Sequence, residues 1–127
     1  MIREIISTKS APSAIGPYSQ AIRAGSTVYL SGQIALDPET GHPVEGGFDA
    51  QVHRAFRNLR AVAEAAGGSL AHCVKLTLFV TELTNFPRVN DIMQEYFAAP
   101  YPARSTVEVS GLPRGAAFEV EAVMVLD

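Results

Sequence analysis

One permanent cation in this chain stands where few cations belong. In YPARSTVEV (101–109), Arg104 follows Pro102 at the head of an apolar strand pattern that runs on through Val107 and Val109. A guanidinium holds a carboxylate through two parallel hydrogen bonds and keeps its charge at any working pH. Three readings stand side by side: a charge guarding a sheet edge, a surface solubiliser, or a rigid anion-binding group. Further on, Glu119 and Glu121 of FEVEAV alternate onto one face of a strand. A strand carboxylate can orient water and accept a proton, or simply meet solvent. The spacing does not choose between the two glutamates.

By residue type alone, Tyr18 in GPYS, Ser31 in SGQ and Asn90 in VNDIM single out no site. Their ordinary roles are a turn aromatic, an inert strand hydroxyl and a local helix cap. Gly16 and Gly32 could let the backbone approach a ligand or a neighbouring chain, or mark a turn and a bulge. His42, His53 and His72 lie in a turn, on a helix pattern and ahead of a strand, without the spacing of a metal site or a triad. The single cysteine, Cys73, excludes an internal disulfide and any multi-cysteine metal site. It precedes the run VKLTLFV and reads as a small buried apolar residue.

The elements that must position these side chains follow from periodicity. Residues 27–33 (TVYLSGQ) alternate as a half-buried strand, with weaker strands at 2–7 and 22–24, and DPETGHP makes a turn. Residues 49–66 repeat Val52, Phe56, Leu59, Ala63 and Ala66 on one helical face, with Asp49 as N-cap and Gly67–Gly68 as stop. A strand at 73–80 places Val74, Leu76, Leu78 and Val80 on one side. A second helix spans about 86–97, capped by Thr84 or Asn85 with Pro87 in its first turn. Strands at 103–110 and 117–126 close the chain around the turn GLPRGA.

That order predicts a two-layer α+β domain over residues 1–127, one mixed sheet with two helices on one face. If Val107 and Val109 face the helices, Arg104, Thr106 and Glu108 face away from them, on the side of Glu119, Glu121, Ser31, Lys75 and Thr77. The uncovered face then mixes Tyr29, Phe79, Val123 and Val125 with charges, which suits packing against copies of the chain.

Composition agrees. A chain of 127 residues, 47% hydrophobic and 18% charged, is globular and rather apolar. A net charge of −3 and ten scattered basic residues give no electrostatic footprint for nucleic acid. The opening MIREIISTKSAPSAIG lacks the apolar core of a signal peptide, and no stretch approaches membrane-spanning length. A soluble cytoplasmic protein is the expectation.

The segments IGPYSQAI (15–22), VYLSGQI (28–34), GGFDAQVHRAFRNL (46–59), AAGGSL (65–70), VKLTLFVTEL (74–83), VNDIMQEYF (89–97), PARSTVEVSGLPRGA (102–116) and EVEAV (119–123) occur together in this order. In that combination the chain resembles the Rid, or YjgF, family of reactive-intermediate deaminases, most closely its RidA branch. The resemblance implies a chorismate-mutase-like homotrimer with one pocket at each subunit interface. It also implies hydrolysis of reactive 2-imino acids, tautomers of enamines such as 2-aminoacrylate, to 2-oxo acids and ammonia, with no metal or organic cofactor.

On that resemblance Arg104 anchors the substrate carboxylate and Glu119, rather than Glu121, holds or activates the attacking water. Tyr18, Ser31, Asn90 and Thr106 line the substrate pocket. Thr106 stands there where many RidA-like members carry cysteine, so a thiol nucleophile or thiol modification at this position is excluded. Three alternatives accompany this expectation. They are a pathway-specific family deaminase for another enamine or imine, a non-catalytic ligand-binding or chaperone-like protein, and a ribonuclease or translation inhibitor.

Overall fold

In the computed structural model, which describes residues 2–127, the periodic segments become six strands and two helices. They are β1 (Arg3–Ile6), β2 (Ala21–Ala24), β3 (Thr27–Gln33), α1 (Phe48–Ala65), β4 (Cys73–Val80), α2 (Phe86–Met93), β5 (Ala103–Glu108) and β6 (Phe118–Val125). The first residue of the expected 1–127 domain lies outside the described residues.

The strands form one mixed sheet in the order β1-β2-β3-β6-β4-β5. Consecutive early strands pair as antiparallel hairpins, and β6 returns to the middle between β3 and β4. Among the described residues only β4 and β5 run parallel, because α2 carries the chain back between them. Apolar side chains of β3, β4 and β6, among them Val28, Leu76, Leu78, Phe118, Val120 and Met124, are fully buried against Val52, Phe56, Leu59 and Val62 of α1. The apolar face of α1 thus seals the centre of the sheet. Among the described residues no helix is long and apolar enough to cross a membrane.

Several local expectations are corrected. Asp49 does not cap α1. Gly47 occupies that position, and the Asp49 carboxylate instead takes a 2.6 Å ion pair from Arg88 of α2, tying the two helices together. The Arg88 hydrogen bond holds the Asp49 carboxyl below its usual range. Asn85 precedes α2 without a side-chain capping bond. That helix ends at Met93 rather than near residue 97, because Glu95 and Tyr96 donate to carbonyls only three residues back and tighten the last turn. In β4 a register shift between Cys73 and Lys75 turns Val74 outward and puts Cys73 into the core. Burial pushes the Cys73 thiol up to about 12, so it packs as an inert small side chain.

The largest correction concerns β5. Its parallel register aligns Arg104 with Leu76, Thr106 with Leu78 and Glu108 with Val80, the core-facing residues of β4. Arg104, Thr106 and Glu108 therefore share the helix side of the sheet, and Val107 looks outward at 40% exposure. At the sheet edge the helix layer runs out, so valine alternation there does not report the core.

Candidate active site

Arg104 begins at the edge strand and reaches over the end of α2. Its Nη1 donates 2.7 Å to Asn90 Oδ1 and makes a longer 3.6 Å contact to Met93 Sδ. The guanidinium lies 4.8 Å from the centre of the Phe86 ring, a cation–π distance. Three residues of one helix thus fix a cation that remains solvent-exposed. Asn90, Met93, Gln94, Tyr101, Pro102 and Arg104 bound a hollow of about 510 Å³. A guanidinium has five N–H donors, so the Asn90 bond leaves most of its capacity for an anion entering that hollow.

Glu119 belongs to the other side of the sheet. It pairs in register with Phe79, out of phase with the core residues Leu78 and Val80. With Tyr18, Ser31, Gly32, Arg114 and Glu121 it lines a second hollow, of about 670 Å³. Burial first, and the neighbouring Glu121 charge second, raise the Glu119 carboxyl above its usual range. A carboxylate shifted in that direction is a better proton acceptor near neutral pH than a solvated one.

The wall of this hollow is built by polar side chains that turn inward. Ser31 Oγ donates 2.6 Å to the Ser19 carbonyl, and Ser31 N donates to the Gln20 carbonyl, so β3 holds the segment that presents Tyr18. The buried Gln20 amide accepts from Thr8 N and donates to the carbonyls of Thr8, Ala11 and Pro12, folding the loop before it against the sheet. Asn58, fully buried on α1, donates to the carbonyls of Ile34 and Leu36, two residues that line the hollow. Neither Gln20 nor Asn58 announces itself in the sequence. The signal available was an amide on an otherwise apolar helix face or beside a strand start.

The structure therefore brings Arg104 together with Asn90, and Glu119 together with Tyr18 and Ser31, but it puts these groups on opposite faces of one sheet. Thr106 joins neither wall. Its Oγ1 is buried on the helix side with no hydrogen-bond partner among the described residues. Met93 and Tyr101, which line the Arg104 hollow, and Phe86, which stacks under the guanidinium, were not singled out by residue type.

The family model described as Endoribonuclease L-PSP matches residues 8–126. Over 125 residues the chain is 46% identical to 2-iminobutanoate/2-iminopropanoate deaminase of Dermatophagoides farinae, with 98% of each chain covered. The crystal structure of RidA from an Antarctic Psychrobacter superposes with a TM-score of 0.94 at 44% identity, covering 97% of this chain and 99% of that one. E. coli TdcF with bound serine superposes with a TM-score of 0.91 at 38% identity, covering 98% and 99%.

Proposed function

The chain belongs to the endoribonuclease L-PSP family, which is the Rid (YjgF) family, and from that premise we propose that it hydrolyses small reactive 2-imino acids to 2-oxo acids and ammonia. The observation that carries this reading is the fixed guanidinium of Arg104 in one hollow and the half-buried carboxylate of Glu119 in another. An imino acid presents a carboxylate beside an electrophilic C=N carbon, and these are the two groups its hydrolysis asks for. A relative with bound serine, a molecule of the same size carrying a carboxylate and a nitrogen on one carbon, fits that choice of ligand.

One chain cannot offer both groups to one substrate, since the sheet stands between them. We therefore place the working site at the interface of a cyclic homotrimer, with the Arg104 hollow of one subunit against the Glu119 hollow of the next. Exposed Ile5, Tyr29 and Val125 on the outer face of the sheet supply apolar surface for that contact. In the assembled site Arg104 takes the substrate carboxylate. Glu119 holds a water against the imine carbon and accepts its proton as the oxygen adds to carbon. Glu119 passes that proton to the imine nitrogen, giving the neutral amino-alcohol; it then takes the hydroxyl proton and delivers it to the same nitrogen, so the C–N bond breaks to release ammonia as the C–O bond becomes the 2-oxo group. Tyr18 and Ser31 shape the wall around the reacting carbon. Thr106, behind Arg104, contributes a small side chain and no thiol chemistry.

The test is release of 2-oxobutanoate from 2-iminobutanoate generated in situ, with Arg104→Ala and Glu119→Gln made separately and then co-expressed. Each variant alone is expected to keep about a hundredth of wild-type activity or less. If chains mix at random in a closed ring, roughly a quarter of interfaces join an intact Arg104 to an intact Glu119, and about that share of activity returns. A wild type no faster than spontaneous hydrolysis rejects the deaminase reading. Mixed rings, verified by mass, without recovered activity reject the shared site.

A further inference from the structure

The conformations of the glycines around the Glu119 hollow separate two reasons for having one. Gly16 has φ +117, a backbone region that side chains rarely adopt, so its own conformation calls for glycine. Gly32 also lines the hollow, yet its φ lies outside that region and its backbone would accept another residue. What forbids a side chain there is space. A Cβ at Gly32 would lie 2.7 Å from Glu119 Oε2, 2.9 Å from Cδ and 3.2 Å from Cγ.

The strand pairing explains how the carboxylate comes to lie there. β3 and β6 are in step at Leu30–Ala122 and again at Gln33–Val120, so Ser31 and Gly32 together oppose Glu121 alone. The extra residue makes a bulge, a device that re-aims side chains and that recurs beside functional sites. Here the bulge carries a bare Cα under the end of the Glu119 side chain.

We propose that Gly32 is the positioning residue of Glu119: its missing side chain forms the seat that holds the carboxylate over the bulge and toward the hollow. The inference rests on the reading of Glu119 as the group that manages water. Because the clash falls on the end of a flexible side chain, a methyl at position 32 displaces the carboxylate rather than disrupting the sheet. The fold and the Arg104 anchor stay intact while the reacting geometry is lost.

The experiment is a double-mutant cycle between Gly32→Ala and Glu119→Ala, read by turnover and by thermal unfolding. Gly32→Ala alone is expected to lower kcat about a hundredfold, the cost of a displacement near 1 Å, with KM changed far less. Added to Glu119→Ala, it is expected to change residual activity by no more than about twofold, because the group it displaces is gone. None of the three variants should unfold well below wild type at neutral pH, so that the loss of turnover is not a loss of fold.

An active wild type whose kcat survives Gly32→Ala overturns the seat while leaving the deaminase reading standing. So does an equal loss in both backgrounds. A form of the test without turnover follows the Glu119 side-chain carboxyl by carbon-13 NMR, with Glu121 and Arg114 as the other charged groups lining the hollow. Its titration is expected to fall toward the ordinary carboxylate range in Gly32→Ala. An unmoved titration overturns the proposal even if the wild type has no deaminase activity.

Discussion

Arg104 and Glu119 are held in place by contrary means. Arg104 is defined by what touches it: an amide oxygen at 2.7 Å, a thioether sulfur, and an aromatic ring at 4.8 Å, all from α2. Glu119 is defined by what is left out beside it, a side chain at Gly32, and by the bulge at Ser31 and Gly32, one of the readings that glycine offered in the sequence. The first seat is made of contacts, the second of empty space. The first region is therefore expected to be brittle toward loss of its neighbours, and the second toward gain of bulk.

The sharpest way to break this comparison is to remove the cation. Two charge-assisted hydrogen bonds at about 1.5–3 kcal/mol each predict that Arg104→Ala loses about two to four orders of magnitude in kcat/KM, with Arg104→Lys in between because the forked geometry goes and the charge stays. Initial rates of 2-oxobutanoate release decide it. Full activity in Arg104→Ala would end the anchor role. Next comes Glu119→Gln, which keeps shape and removes the proton acceptor. A fall in kcat of about a hundredfold or more is expected, with the acid limb of the pH–rate profile lost. In the wild type that limb should lie above the ordinary glutamate value, since burial and Glu121 disfavour the ionised form. Asn90→Ala tests the contact side of the comparison. It removes one partner of the guanidinium but keeps the Phe86 stack, so KM is expected to rise about tenfold with kcat nearly unchanged.

Two smaller effects sharpen the contrast through stability. The native Glu119 carboxyl titrates above its unfolded value, so on raising the pH the unfolded chain gives up this proton first. Stability is thus fully retained below the ordinary glutamate range and declines as pH rises through the native value. Glu119→Gln should therefore unfold at a higher temperature than wild type at neutral pH, and the gap should close as pH falls through that window. Equal unfolding temperatures at neutral pH would argue against a desolvated carboxylate. Finally, Thr106→Val removes a buried hydroxyl that has no partner among the described residues. A gain of up to about 1 kcal/mol in denaturant unfolding is expected.

Legibility in the sequence followed burial. The 3.6-residue repeat of Val52, Phe56, Leu59 and Ala63 reports α1 because that face is buried along its whole length. The alternation in β6 reports the outward Glu119 and Glu121 because a central strand has a covered side to measure against. On β5 the same reasoning turned Arg104, Thr106 and Glu108 to the wrong face. The edge strand has no such covered side, and its inward positions meet Asn90, Leu78 and the backbone of Leu83 rather than a continuous core. Asn58 and Gln20 were silent for a different reason. Each satisfies backbone carbonyls of a loop distant in sequence, and no local pattern records which carbonyls a loop will leave bare.

The sheet that separates Arg104 from Glu119 has a consequence for mixed populations. If each site borrows one group from either side of an interface, every chain serves two sites, one with each face. A ring that admits one chain lacking only the cation loses one site, and a ring that admits a chain lacking both groups loses two of its three. Defects of this kind do not average out among copies. They pass to healthy neighbours, so a doubly defective allele expressed beside a normal one would lower activity below its share of the protein.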